Sequence, residues 1–213
     1  MSIDAGTDRL IDHLVWGVRD LSAALTSFED ALGVKPAEGG RHIGRGTRNY
    51  LVALTNTAYL EIIALDEENP TPEGTATPFG LDTLKSDRVL TWAIHPDDID
   101  AAAAICLRHG ANHGPIAPMS RRDAAGVELS WRLASSPVRP LDGVAPFLID
   151  WGASPHPAGS GIPSVELVDL RIAHPQNGAV QGLFTDLGIG LQVASGEPQI
   201  DVVLRGPGGE LQL

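Results

Sequence analysis

Leu10-Ile-Asp-His-Leu-Val-Trp-Gly-Val-Arg-Asp20-Leu-Ser-Ala-Ala-Leu-Thr-Ser-Phe28-Glu-Asp-Ala-Leu-Gly33 reads as a strand, a cap and a helix in direct succession. Residues 10–18 are rich in β-branched and aromatic side chains, and Asp20 offers an oxygen to the first turn of the helix that follows. Leu21, Leu25, Phe28 and Leu32 keep helical spacing, and Gly33 supplies the stop. The pattern returns twice. Residues 89–94 form a short apolar strand, Asp97 or Asp98 caps a helix, and Gly110 ends it. Residues 168–173 form a third strand, and a helix through Val180, Leu183, Phe184 and Leu187 stops at Gly188. The three stop glycines are 77 and 78 residues apart, and Phe28-Glu-Asp-Ala-Leu-Gly-Val34 is echoed by Phe184-Thr-Asp-Leu-Gly-Ile189. A near-constant period marks a repeated supersecondary unit.

Strands, not helices, follow each helix. Residues 48–54 and 58–65 serve the first unit, 127–133 and 146–151 the second, and 191–194, 199–204 and 210–213 the third. The unit is therefore βαβββ and the fold class α+β: a mostly antiparallel sheet, helices outside, and a free face that curls into a cup. Two proline-rich linkers, 66–78 and 153–163, divide the chain into a domain over 1–152, with modules 9–65 and 86–152, and a third module over 163–213. That third module would keep an unpartnered apolar face, with Leu191, Val193, Ile200, Val202 and Leu204. We expect it to meet its twin in a homodimer, the alternative being to pack back on the first pair.

Composition limits what such a fold serves. The chain is 43% hydrophobic and 20% charged, the balance of a globular protein. A net charge of −12 repels phosphate backbones and anionic lipid, arguing against nucleic-acid and membrane partners. No apolar run reaches the roughly 18 residues of a membrane span. The first residues, Met1-Ser-Ile-Asp-Ala-Gly6, lack the marks of a secretion signal, so a cytoplasmic location is expected. Cys106, the single cysteine, sits in an alanine-rich helical pattern and reads as a small buried hydrophobe.

Strand parity assigns faces. Leu14, Trp16 and Val18 would pack under the helix, leaving Ile11, His13, Val15 and Gly17 on the open side. Leu60, Ile62 and Ala64 match the helix side, leaving Tyr59, Glu61 and Ile63 open. His13 and Glu61 thus share the concave face, with tips expected roughly 3–5 Å apart. A carboxylate among Leu60, Ile62 and Ile63 is costly to bury alone and needs a metal, a proton or a donor.

Three segments together resemble the glyoxalase-like domain family of the vicinal oxygen chelate superfamily: Asp12-His13-Leu-Val-Trp-Gly-Val-Arg-Asp20-Leu21, Gly39-Gly40-Arg-His42-Ile-Gly-Arg-Gly46-Thr47-Arg-Asn49, and Tyr59-Leu60-Glu61. The resemblance covers residues 9–152, and the third module shares only its pattern. It implies that His13 and Glu61 are ligands of a divalent metal (Mg, Mn, Fe or Zn) that grips two neighbouring substrate oxygens. Such a metal stabilises an enediolate or oxyanion, or activates dioxygen. Aligning helix starts sets Thr91 opposite His13 and brings Asp150 to the place of a second carboxylate ligand. His13, Glu61 and Asp150, with His42 as a substitute, make hard ligation suited to Mg, Mn or Fe(II) more than to zinc. The alternative is a hydrogen-bonded His13–Glu61 pair in a metal-free cup.

Residues 39–49 contain four glycines but run from a helix into a strand, the reverse of a phosphate loop. They read as a rim loop presenting His42, Arg48 and Asn49. Arg121 and Arg122 form either a carboxylate clamp or a solvated turn. Trp131 shares a side with Leu129 and Leu133 and reads as core, and His95, His109, His113, His156 and His174 have no ligand spacing. The expected function is an enzyme of isomerase, lyase or dioxygenase type acting on a small oxygenated metabolite. Glu61 or His42 would move the proton, and Arg48, Asn49, Arg121 and Arg122 would bind substrate. The alternative is a non-catalytic protein that binds or sequesters a small molecule on the same fold.

Overall fold

The capped helices form where their sequence pattern places them. A computed structural model describes residues 10–42, 44–122 and 128–213, without the side chains of residues 121, 122 and 128. The first module is β1 (Ile11–Gly17), α1 (Leu21–Leu32), β2 (Ala37–His42), β3 (Thr47–Ala53) and β4 (Tyr59–Leu65). The second is β5 (Arg88–Ile94), α2 (Ile99–Arg108), β6 (Ala117–Arg122), β7 (Glu128–Ala134) and β8 (Phe147–Asp150). The third is β9 (Glu166–Ala173), α3 (Asn177–Leu187), β10 (Val193–Ala194), β11 (Gln199–Gly206) and β12 (Gly209–Gln212). Asp20 Oδ1 accepts from the Ala23 amide at 3.0 Å, and Asp98 Oδ1 from Asp100 and Ala101, each at 3.0 Å. Gly33 and Gly188 close α1 and α3 in the left-handed region, at φ 68° and 75°.

The first two modules share one eight-stranded mixed sheet, in the order β2-β3-β4-β1-β5-β8-β7-β6. Each lays its first strand parallel to its last, and the two meet where β1 runs antiparallel to β5. The sheet curls into a half-barrel with helices on its convex side. Residues 39–42, expected in a loop, belong instead to an edge strand paired with β3. Gly39 permits this, because a Cβ there would stand 2.3 Å from Asn49 Oδ1.

The third module keeps the chain order strand, helix, three strands, but its sheet runs β10-β9-β11-β12. Its first strand is flanked by β10 and β11 and does not touch β12. The reason lies in the β11–β12 hairpin, which presses on the end of α1 and holds those strands together. The Gly208 amide donates to the Leu32 carbonyl at 2.9 Å, and a Cβ on Gly206 would stand 2.3 Å from that oxygen. Only glycine allows so close an approach.

Two apolar cores result. The larger lies between the convex side of the big sheet, the helices and the small sheet, and unites Leu14, Phe28, Trp92, Phe184, Val202 and Leu204. Phe184 of α3 packs edge-on against Trp92 of β5, ring centres 5.6 Å apart. The apolar face of the third module is therefore covered inside the chain, and the need for a twin to cover it disappears. The smaller core lines the concave side, with Val15, Leu51, Ile63, Phe147, Ile149 and Trp151. Among the described residues, no helix is long and apolar enough to cross a membrane.

His113 carries a stability cost within this packing. Burial pushes its imidazole down to about 4, partly offset by the Pro146 backbone. An unfolded imidazole titrates near 6.5, so between these values the unfolded chain binds more protons and stability falls as pH falls. The expected loss is on the order of 3 kcal/mol between pH 6.5 and 4. Wild-type urea midpoints should fall more steeply than those of His113→Phe across that window, and parallel profiles would exclude this histidine as the cause.

Candidate functional site

A β-bulge organises the concave face. The β1–β5 register steps from Ile11 opposite Ile94 to His13 opposite Ala93, leaving Asp12 as the extra residue. Ile11, expected on the open side, joins the helix-side core instead. Asp12 is turned behind the His13 ring, where His13 Nδ1 and Asp12 Oδ1 are 2.6 Å apart. Asp12 Oδ2 accepts from Trp151 Nε1 at 2.8 Å and from His156 Nε2 at 3.2 Å. Complete burial alone would raise this carboxyl, yet the bonds and charges of His13 and His156 hold it well below the usual carboxylate range. A carboxylate can only accept, so His13 carries its proton on Nδ1 and turns Nε2 toward the cup.

Glu61 lies on the neighbouring strand, its Oε2 at 3.9 Å from His13 Nε2. Its Oε1 accepts from Asn49 Nδ2 at 2.5 Å and lies 3.9 Å from His42 Nε2. His42 is tied at Nδ1 to Thr47 Oγ1, 2.8 Å away. Both imidazoles are thus fixed at one nitrogen with the other near a single carboxylate. Tyr59 stacks on His13 at 4.7 Å with planes 13° apart, and Phe147 meets it edge-on at 5.1 Å. The cup encloses about 710 Å³, part of it open to solvent, and its lining includes Arg45, Phe79, Met119, Trp131 and Trp151.

Several expectations need correction. Asp150 faces the convex side, where Arg132 Nε and Nη2 donate to it at 3.0 and 2.7 Å. Arg132 and the Gly152 amide hold its carboxyl below the ordinary range. The cup position on β8 belongs to Ile149, one residue earlier, because neighbouring strand residues face opposite ways. Thr91 is likewise displaced. In the parallel pairs His13 lies beside Tyr59 and Ala93 beside Phe147, which makes Ala93 the counterpart of His13 and Ile149 that of Glu61. Aligning the caps failed because Ala93 lies five residues before its cap, Asp98, whereas His13 lies seven before Asp20. Arg48 is also off the cup: it precedes Asn49 on β3, points outward and pairs with Glu38 at 3.2 Å. Trp131, expected in the core, is half-buried on the cup wall, 5.2 Å from Trp151. The side chains of Arg121 and Arg122 lie outside those described.

Sequence reasoning passed over Asp12, Trp151 and His156. The usable signal was Asp12 itself, a carboxylate at a helix-side parity position in an apolar strand, which makes sense only if a bulge moves it.

The family model of the Glyoxalase-like domain matches residues 11–188. The chain belongs to that family, within the vicinal oxygen chelate superfamily. No curated protein matches it significantly. Among solved structures, a hypothetical protein from Staphylococcus aureus is 15% identical at a TM-score of 0.60, covering 95% of this chain and 83% of that one. A mutant of 4-hydroxymandelate synthase from Streptomyces coelicolor is 16% identical at a TM-score of 0.51, over 96% of this chain and 62% of that one. Methylmalonyl-CoA epimerase from Mycobacterium tuberculosis is 19% identical at a TM-score of 0.43, over 71% and 93%. At these identities the first two likenesses speak to fold alone.

The superfamily implies a divalent metal, and the donors can be tested against one. Among the described residues, no three His, Cys, Asp or Glu side chains are grouped, as they stand, to hold an ion. Ligands with bonds of about 2.1 Å to one ion stand at most about 4.2 Å apart. His13–Glu61 and His42–Glu61, each at 3.9 Å, fall within that limit. Outer partners on both Nδ1 atoms are the usual support of metal-bound histidines. By chemistry two imidazoles and a carboxylate suit a divalent metal, but each imidazole approaches a different oxygen of Glu61, and Asn49 Nδ2 stands 2.5 Å from Glu61 Oε1 and 3.4 Å from His42 Nε2.

Proposed function

We propose that the chain is an enzyme of isomerase, lyase or dioxygenase type that holds a small oxygenated metabolite in the cup, with a divalent metal carried by His13, His42 and Glu61. The observation behind this reading is the orientation of two tied imidazoles toward one buried carboxylate. When bound, the metal would supply a Lewis acid to neighbouring substrate oxygens. Asp12 keeps the proton of His13 on Nδ1, which leaves Nε2 as a donor atom for metal or substrate. Asn49 grips Glu61 Oε1 and so aims Oε2 at the cup, where it can take a proton from a substrate carbon and return it. The apolar walls keep water from that proton. A second reading, binding without turnover, is favoured by Ala93 and Ile149, which leave the second module no ligands of its own.

Metal analysis of chelator-free protein by mass spectrometry tests the first reading. About one transition or alkaline-earth ion per chain is expected, and Glu61→Gln should weaken its retention roughly 10–100-fold. A metal-free wild type that still binds small molecules would leave the second reading in place.

A further inference from the structure

The two halves of the cup differ in chemistry. Among the described residues, its charged, imidazole and amide side chains come from the first module: His13, His42, Arg45, Asn49 and Glu61. The opposite wall is aromatic. The chain has only 4 Trp, 2 Tyr and 4 Phe, and half of them line this one cavity. Trp131 and Trp151 stand 5.2 Å apart, and Phe79 and Phe147 5.6 Å apart. Phe79 sits at a positive φ of 55°, a conformation that turns it over the cavity. Trp131 is only half-buried and lines the cavity. Such a wall suits a flat, apolar body.

Arg45 stands at the mouth. Its backbone is fixed, since its amide donates to the His42 carbonyl at 2.9 Å and Thr71 Oγ1 donates to its carbonyl at 3.1 Å. Among the described residues its guanidinium makes one hydrogen bond, from Nη2 to the Met119 thioether at 3.1 Å. Arg41, Arg48, Arg132, Arg171 and Arg205 are all paired with carboxylates. Among the described residues Arg45, Arg88 and Arg139 have no carboxylate partner in a chain of net charge −12, and of these three only Arg45 lines the cup. A guanidinium fork left open beside an aromatic cavity is matched by a carboxylate.

We infer that the ligand of this cup is a small planar aromatic carboxylic acid. Its ring system lies on the Trp131 and Phe147 wall, and its carboxylate meets Arg45. This names the substrate class of the site proposed above and depends on that reading only for what happens at Glu61.

Isothermal titration with 2-naphthoate, 2-naphthamide and cyclohexanecarboxylate tests it, on wild type and Arg45→Gln, each with and without chelator. The expected result is 2-naphthoate binding at least tenfold tighter than either comparison ligand. Arg45→Gln should erase the preference for acid over amide while leaving amide binding unchanged. Equal affinities for acid and amide, or for aromatic and alicyclic acid, in the wild type would overturn the inference. An acid preference that survives Arg45→Gln but disappears with chelator would also overturn it, because the anion would then sit on a metal. An acid preference that persists in metal-free wild type and is lost in Arg45→Gln supports the inference even where the metal-enzyme reading fails.

Discussion

Asp12→Ala is expected to lower the unfolding free energy by about 3–5 kcal/mol, since removing one member of a buried, hydrogen-bonded charge cluster strands its partners. The urea midpoint should fall with little change in slope. His13, Trp151 and His156 all direct a nitrogen at this fully buried carboxylate, and they come from β1, the end of β8 and the following linker. The pH dependence has a definite sign. Asp12 stays ionised well below the ordinary range, so its contribution is complete above the unfolded value near 3.9 and fades only as pH falls below it. The deficit of the variant should therefore shrink as pH falls below about 3.9. A variant as stable as wild type would mean that the three donors find water instead.

Leu204→Asp should be still more damaging, at about 4 kcal/mol or more, because it places an unpaired charge in a core with no donor to meet it. Leu204 is fully buried beneath the third module, where β11 and β12 lie against α1. Leu204→Ala, a cavity mutation, should cost about 2–5 kcal/mol. The next residue supplies the contrast. Arg205 faces solvent with Glu166 and Glu210, and Arg205→Ala should cost no more than about 1 kcal/mol. Equal tolerance at the two positions in a urea titration would mean that the small sheet does not pack as described.

The helices and most strands were legible because their signals are local: Asp20, Asp98 and the stop glycines act within one turn of chain. Parity along residues 58–65 placed Glu61 correctly for the same reason. What failed depended on events between strands. The bulge at Asp12 reverses the facing of Ile11 and is set by pairing with β5, which leaves no mark on β1 alone. Asp150 was misplaced by a single residue, enough to move it through the sheet. The β2 strand was hidden because Gly39, read as a loop former, is there to fit against Asn49. The order of the third sheet depends on Gly206 and Gly208 meeting Leu32, a contact between residues far apart in sequence.

The small sheet also acts as a clasp. The two halves of the half-barrel join along a single strand pair, β1 with β5, and such a seam could flex like the spine of an open book. The clasp grips α1 through Leu32 on one side of that spine and reaches β5 on the other through Phe184 and Trp92. Twisting one half against the other would tear those contacts from both covers. The cavity is therefore preset in width, and a ligand must match walls that are already in place.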